Sequence, residues 1–435
     1  RTEMAGSTAI AQRTHFTQHD NELHRPACSR HAAVLLGGGT MNDDIMEMTI
    51  EEDYPEFREA VAKICEGFPG QYWRDLEDQP PEGSYPTEFV NALTESGFLG
   101  ALIPEEFGGS GLPVRAGAVI LESIHENGCS AAACHAQMYT MGTVLRHGTD
   151  DQKNEYLPKI ASGELRLQAF AVTEPTTGSD TTQLKTKADR KGNGYVVNGQ
   201  KVWTSRAAHS DLMLLLARTT PAEDCKKRTD GLSCFLIDLR EAQGNGCDIK
   251  PLGAMINHNT TEVFFDNLQI PGSSLIGEEG KGFRYILDGM NAERILIASE
   301  CIGDGRYFIK KATDYANSRQ VFGRSIGQNQ GVQFPIAECH AKIESAALMV
   351  EKAALLFDAN EKCGPEANIA KMLAADASWE AGTVAMETFG GFGFSKEFDI
   401  ERKFRETRLY QTAPVSRNLI LSYIAEHVLK LPRSY

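Results

Sequence analysis

No stretch of this chain is apolar over the ~18 residues that a membrane span requires, so the sequence predicts no spanning helix. Basic residues are in deficit: 44 Lys and Arg face 59 Asp and Glu, a net charge of −15. No basic stripe offsets that acid, which argues against nucleic acid and anionic lipid as partners. Ten cysteines are present, but no C-x-x-C pair and no regular spacing. They read as free thiols of a reducing compartment, not as a disulfide framework. Cys129 and Cys134 fall near His125 and His135, yet the segment reads as helix with scattered side chains, so no metal site is predicted. No P-loop spacing and no internal repeat occur.

What is present is ordinary in bulk. The 435 residues are 41% apolar and 24% charged, enough for two or three domains with substantial cores. Residues 1–45 stand apart. The first 40 carry Arg1, Arg13, Arg25 and Arg30, four histidines, and only Glu3, Asp20 and Glu22 as acids. That composition predicts a poorly ordered targeting peptide or an upstream extension, with Met41 as an alternative start. From 46 to 164 the pattern is helical, as in Phe57, Val61, Ile64 and Cys65. It is interrupted at Pro104-Glu105-Glu106-Phe107-Gly108-Gly109, which reads as a structural turn. From 165 to 280 the reading is β. Thr182–Asp189 alternates, and turns are expected at Lys191–Gly194 and Asn198-Gly199. Leu212–Ala217 and Cys234–Ile237 are short apolar runs suited to barrel walls. From 281 to 435 the pattern is helical again, over Phe283–Ser318, Gln330–Phe357, Glu366–Phe389 and after Val415. The fold class is therefore α+β: helices, a β-barrel, then a bundle of four or five helices.

The stretch 168–205 is the most informative. An apolar strand-like run, Phe170 to Val172, leads into Thr173-Glu174-Pro175-Thr176-Thr177-Gly178-Ser179-Asp180. Such a loop can present backbone N–H groups and hydroxyls to a polar ligand. Trp203-Thr204-Ser205 closes the next β segment, offering a flat face with hydroxyls at its edge. Together they read as a seat for a flat heteroaromatic cofactor. Each alone is explained as well by a solvated turn or a core tryptophan.

In this order the two pieces resemble the middle domain of the acyl-CoA dehydrogenase flavoproteins. A second signature of that family is similar to Glu387-Thr388-Phe389-Gly390-Gly391-Phe392-Gly393-Phe394 with Arg402 and Glu406, and Arg319-Gln320-Val321-Phe322-Gly323 resembles its R-x-x-F-G motif. The resemblance runs from about Glu51 to the C-terminus. Thr177, Gln183 and Glu387 depart from its usual residues. It implies FAD as cofactor, an acyl-CoA thioester as substrate and an electron-transfer flavoprotein as partner. It also implies a homotetramer, or a dimer, in which flavin is shared between subunits. By the same resemblance Phe170, Thr173, Gly178, Ser179, Trp203, Thr204 and Ser205 would hold the flavin. Arg319, Phe322, Gln330, Glu387, Gly391 and Ser416 would contact it as well. Ser179, Asn291 and Arg294 would meet the CoA.

The reaction needs a carboxylate base kept from water, since desolvation raises its basicity. Glu293 has Gly289, Met290, Leu296 and Ile297 at helical spacing, which puts it on an apolar stripe. From spacing alone it is equally a base or a buried glutamate held by an arginine. The resemblance then points to Glu293. Most members carry the base in a Tyr-Glu-Gly-Thr turn, where this chain has Ala413-Pro414-Val415-Ser416. The isovaleryl-CoA and long-chain types instead use a glutamate on a bundle helix just before an arginine, as in Glu293-Arg294. The expected activity is α,β-dehydrogenation to a trans-2-enoyl-CoA, within fatty-acid β-oxidation. An acyl-CoA oxidase or flavin monooxygenase of the same fold is the alternative, and a non-enzymatic scaffold the third. The mitochondrial matrix is the first expectation for location and the bacterial cytoplasm the second.

Overall fold

A computed structural model describes residues 54–434. The targeting-segment and native-start expectations fall outside these residues. The chain begins with helices α1 (Pro55–Glu66), α2 (Gly70–Glu77) and α3 (Thr87–Glu95), followed by α4 (Val114–Glu126), α5 (Ala132–His147) and α6 (Asp150–Ala161). Local chemistry sets these boundaries. Thr149 caps α6 in a reciprocal pair with Gln152, satisfying two N–H groups that the helix leaves free. The glycine turn before α4 is structural, as the sequence predicts: a Cβ on Gly109 would lie 2.0 Å from the Ile103 carbonyl oxygen.

Eight strands follow in one sheet: β1 (Leu167–Ala171), β2 (Lys187–Lys191), β3 (Gly194–Ser205), β4 (Leu212–Arg218), β5 (Leu232–Asp238), β6 (Cys247–Pro251), β7 (Thr260–Pro271) and β8 (Leu275–Ile276). A short helix, α7 (Leu239–Ala242), separates β5 from β6. The strand order is β6-β7-β3-β2-β4-β5-β8, with β1 added alongside β4. Tyr195 on β3 meets Phe235 on β5 with ring centroids 5.0 Å apart, although two strands lie between them in the sheet. The sheet thus curls around one apolar face, which Ala169, Val197, Met213, Leu215, Ile237 and Val263 help to fill.

Two details differ from the sequence reading. Asn198-Gly199 is not a hairpin turn: β3 runs through it, and the hairpin lies at Gly192 instead. Gly199 is there because the strand presses on Thr186, whose Oγ1 would stand 2.5 Å from an added Cβ. Thr181–Gln183 is a 3-10 turn, not the start of a strand; Asp180 accepts the Thr182 N–H and stops pairing until Lys187.

The last third is helical. α8 (Gly282–Ser318) is about 55 Å long. It packs against α4, α9 (Gln330–Asp358) and α10 (Gly364–Phe389). The two-residue strands β9 (Gln320–Val321) and β10 (Arg324–Ser325) join α8 to α9. α11 (Ile400–Arg408) and α12 (Arg417–Tyr423) complete the bundle. α11 was not among the expected segments: Ile400 and Phe404 are its only apolar side chains, set among Glu401, Arg402, Lys403, Arg405 and Glu406. No helix among the described residues is long and apolar enough to cross a membrane.

Candidate active site

The end of β3 is built to turn a tryptophan outward. Alternation along β3 points Tyr195, Val197 and Lys201 inward, and Trp203 would follow them. The register with β7 shifts between Lys201 and Thr204, and Trp203 takes a left-handed backbone with φ 61°. A bulge of this kind re-aims side chains. The Trp203 ring is consequently 59% exposed, while Thr204 is fully buried. Val202 N–H donates to the Thr173 carbonyl at 2.9 Å, which ties this bulge to the loop after β1.

Beneath the loop lies a buried ion pair that the sequence reading did not single out. Lys201 Nζ sits 3.0 Å from Glu174 Oε1 and donates to the Val172 carbonyl. Glu174 also accepts the backbone N–H groups of Lys185 and Thr186, each at 2.8 Å. Burial pulls the Lys201 ammonium down to about 8, against the pull of Glu174. The sign of this site in the sequence was a lysine at an inward-facing strand position.

The resulting seat has an open aromatic face and orphaned hydroxyls. Thr204 Oγ1 and Thr177 Oγ1 are buried without a hydrogen-bond partner among the described residues. An isoalloxazine ring, flat and edged with acceptors, fits those groups. Gly178 and Ser179 are exposed on the loop, and Ser205 is half-buried at the strand end.

Glu293 lies on α8, 6% exposed. No hydrogen bond or ion pair to its carboxylate is found among the described residues, so the arginine-held alternative is not realised. Arg294 instead donates to Asn291 Oδ1 at 3.0 Å, and its Nε is buried with no partner among the described residues. Burial raises the Glu293 carboxyl above its usual range; His135, Arg294 and Lys371 pull the other way. Tyr139 relates Glu293 to the candidate seat. Its ring meets Phe170 edge-on at 5.5 Å, and it stands within electrostatic reach of Glu293.

The Ala413–Ser416 turn is tied to Lys371. Lys371, which acts on Glu293, donates to the Tyr410 carbonyl at 2.5 Å and the Val415 carbonyl at 2.9 Å. Ser416 Oγ caps α12 by accepting the Leu419 N–H at 3.4 Å. His135, Tyr139 and Lys371 were missed by the sequence reading. A lone His or Tyr on an apolar helix gives no signal apart from its neighbours in space.

Further along α8, Glu300 and Asp304 are also buried, and each has a partner. Glu300 Oε1 lies 3.0 Å from His135 Nδ1; burial alone would raise its carboxyl, but His135 and His125 hold it down to about 2. Asp304 Oδ1 is 2.8 Å from His125 Nδ1 and 2.6 Å from Lys403 Nζ. The histidines beside Cys129 and Cys134 are thus committed to carboxylates.

The remaining predicted contacts form a second group. Arg319 caps the C-terminus of α8, about 40 Å along the helix from Glu293. Its guanidinium lies over the Phe392 ring at 5.9 Å, beside Gly391, so the R-x-x-F-G motif and the second signature meet. Phe322, Gln330, Glu387 and Gly391 are all exposed, and Phe322 fully so.

Comparison with known proteins matches all three parts. The acyl-CoA dehydrogenase N-terminal domain matches residues 51–164, the middle domain 169–268 and the C-terminal domain 280–429. An acyl-CoA dehydrogenase of Mycobacterium tuberculosis is 33% identical over 387 residues, covering 88% of this chain and 98% of the relative. An acyl-CoA dehydrogenase of Bacillus subtilis is 33% identical over 347 residues, covering 78% and 90%. The crystal structure of an acyl-CoA dehydrogenase from Geobacillus kaustophilus superposes with a TM-score of 0.80 at 26% identity, covering 88% of this chain and 99% of that one. These bacterial relatives fit the bacterial cytoplasm and lend no support to the mitochondrial matrix expectation.

Proposed function

The chain belongs to the acyl-CoA dehydrogenase family, and from that premise we propose that Glu293 is the base that removes the α proton of the thioester. The general activity is that of the family, FAD-dependent acyl-CoA dehydrogenation. The observation that carries the assignment is a carboxylate 6% exposed, without a bonded partner among the described residues, within electrostatic reach of the Tyr139 ring that meets Phe170. A buried carboxylate with raised pKa is a stronger base, and a rigid helix keeps it at a fixed height over the substrate. FAD, when bound, supplies the acceptor for the β hydride.

In this reading Phe170, Thr173, Trp203, Thr204 and Ser205 hold the ring, and Ser179, Asn291 and Arg294 orient the CoA. The product is the trans-2-enoyl-CoA, and electrons pass to an electron-transfer flavoprotein. Arg319, Phe322, Gln330, Glu387 and Gly391 serve the flavin of another copy. An extended flavin dinucleotide is far shorter than the 40 Å of helix between Glu293 and Arg319, so one flavin does not reach both within one chain. That supports a homo-oligomer.

Proton abstraction can be followed apart from turnover. In deuterium oxide, wild-type protein should exchange the α proton of a 3-thia-acyl-CoA, which resists oxidation, and Glu293→Gln should not. Full exchange by the glutamine variant would remove Glu293 from the role. Hydrogen peroxide formed at the turnover rate in air would instead mark the oxidase alternative.

A further inference from the structure

Between α2, the α4–α5 connection, the β6–β7 loop and α11 lies a small recess. It leaves about 20 Å³ of room for the centre of a water-sized group, enough for one or two of them. Its charged lining is Arg206, Arg402, Glu77 and Glu406. Three of the four are spoken for. Arg402 holds Asp399 Oδ2 at 2.6 Å and Glu406 Oε1 at 2.7 Å, Glu406 also meets Lys403, and Glu77 is clamped by Arg405 at 3.0 and 2.8 Å.

Arg206 is different. It follows Trp203-Thr204-Ser205 directly, at the end of β3. It is 5% exposed, and its guanidinium makes no hydrogen bond or ion pair among the described residues; its Nε is buried and orphaned. An arginine carries five N–H donors, and leaving them unmade in a buried place is costly. Its backbone is nonetheless fixed there: φ is 59°, and Arg206 N–H donates to the Asn259 carbonyl at 2.7 Å. Glu300 acts on it electrostatically, but that carboxylate lies 3.0 Å from His135 Nδ1 and makes no ion pair with Arg206. The recess therefore presents one positive charge that no side chain neutralises at close range.

We propose that this recess binds one monatomic anion, a halide such as chloride, with the Arg206 guanidinium as its counter-charge. Water can meet the N–H donors but leaves the buried charge unpaired, whereas an anion meets both needs through charge-assisted hydrogen bonds. Size sets the class. A halide is little larger than a water molecule, and the room in the recess leaves none for a sulfate, a phosphate or an organic carboxylate. The walls come from the N-terminal helices, the β6–β7 loop and α11, so the ion fastens the end of β3 to three distant parts of the chain. It acts on the strand end that turns Trp203 outward and takes no part in proton transfer. The inference stands whether or not Glu293 is the base.

The test uses FAD-loaded wild-type protein with Arg206→Asn and Arg206→Lys. Asparagine tolerates the left-handed backbone. Thermal unfolding is followed at constant ionic strength while sodium chloride or sodium bromide replaces sodium gluconate. Wild type should show a saturable rise in unfolding temperature, roughly 2 °C or more at saturation. Arg206→Asn should show none, and Arg206→Lys should keep part of it. Crystals of the FAD-loaded wild type soaked in bromide locate the ion, and they decide the matter if neither variant folds. An anomalous peak in contact with the Arg206 guanidinium is expected. No saturable rise in wild type, or bromide found only elsewhere as an adventitious ion, overturns the inference. An equal rise in Arg206→Asn overturns it as well, because the salt then acts at other places. If acetate or sulfate stabilises wild type as strongly as chloride and the effect is lost in Arg206→Asn, the site takes a larger anion and the monatomic assignment is wrong.

Discussion

At the residue scale, two buried charges decide most. Glu293 has a raised pKa, so the folded chain holds its proton at pH values where the unfolded chain has lost it. Stability then falls as pH rises from about 4, the unfolded value, through the folded one. Glu293→Gln removes that loss. Its gain in unfolding temperature over wild type should be greater at pH 8 than at pH 4.5, as calorimetry would read. An equal gain at both would mean the carboxyl is not perturbed. Activity should move oppositely, rising with pH as Glu293 ionises. Lys201 and Glu174 are the second case. Lys201→Met leaves Glu174 buried without its cation and should cost about 3–5 kcal/mol. Adding Glu174→Gln should recover part of it, since no bare charge remains. An additive double variant in denaturant unfolding would show that the two residues do not act as a pair.

At the element scale, the account turns on α8 and the end of β3. α8 carries Glu293, Glu300 and Asp304 inward and is crossed closely by its neighbours. A Cβ on Gly303 would lie 2.2 Å from the Glu122 carbonyl oxygen on α4, and one on Gly305 would lie 2.1 Å from Ile343 Cδ1 on α9. Gly303→Ala should therefore destabilise by about 1–3 kcal/mol, because backbone must move. A thermal unfolding midpoint equal to wild type would contradict that packing. Much of this layout could be read in the sequence: α8, α9 and α10 are long and periodic, and β4 and β5 are apolar runs bounded by turns. Glu293 stood out because its neighbours at helical spacing are apolar. What could not be read depends on the third dimension. The bulge that turns Trp203 outward follows from pairing with β7, and α11 offers only Ile400 and Phe404 as an apolar signal. His135 and Lys371 acquire meaning only from side chains distant in sequence.

At the scale of the whole molecule, Glu293 and Arg319 lie about 40 Å apart along α8, so under the proposed assignment flavin binding depends on assembly. Exposed Phe322, Phe334 and Phe394 are apolar surface that a partner subunit would cover. Arg319→Ala should weaken flavin binding by roughly 10- to 100-fold, the range for a charge-assisted contact. In sedimentation followed at flavin wavelengths, colour should travel with the oligomer and leave when it dissociates; a monomer that keeps its flavin would contradict the shared site. The most direct test of the central claim is an anaerobic titration of the purified flavoprotein with a panel of acyl-CoA thioesters, watching flavin absorbance. The account predicts that a group of thioesters bleaches the wild type and that none bleaches Glu293→Gln, although that variant still holds FAD and still binds the thioesters. Bleaching of Glu293→Gln at the wild-type rate would contradict it.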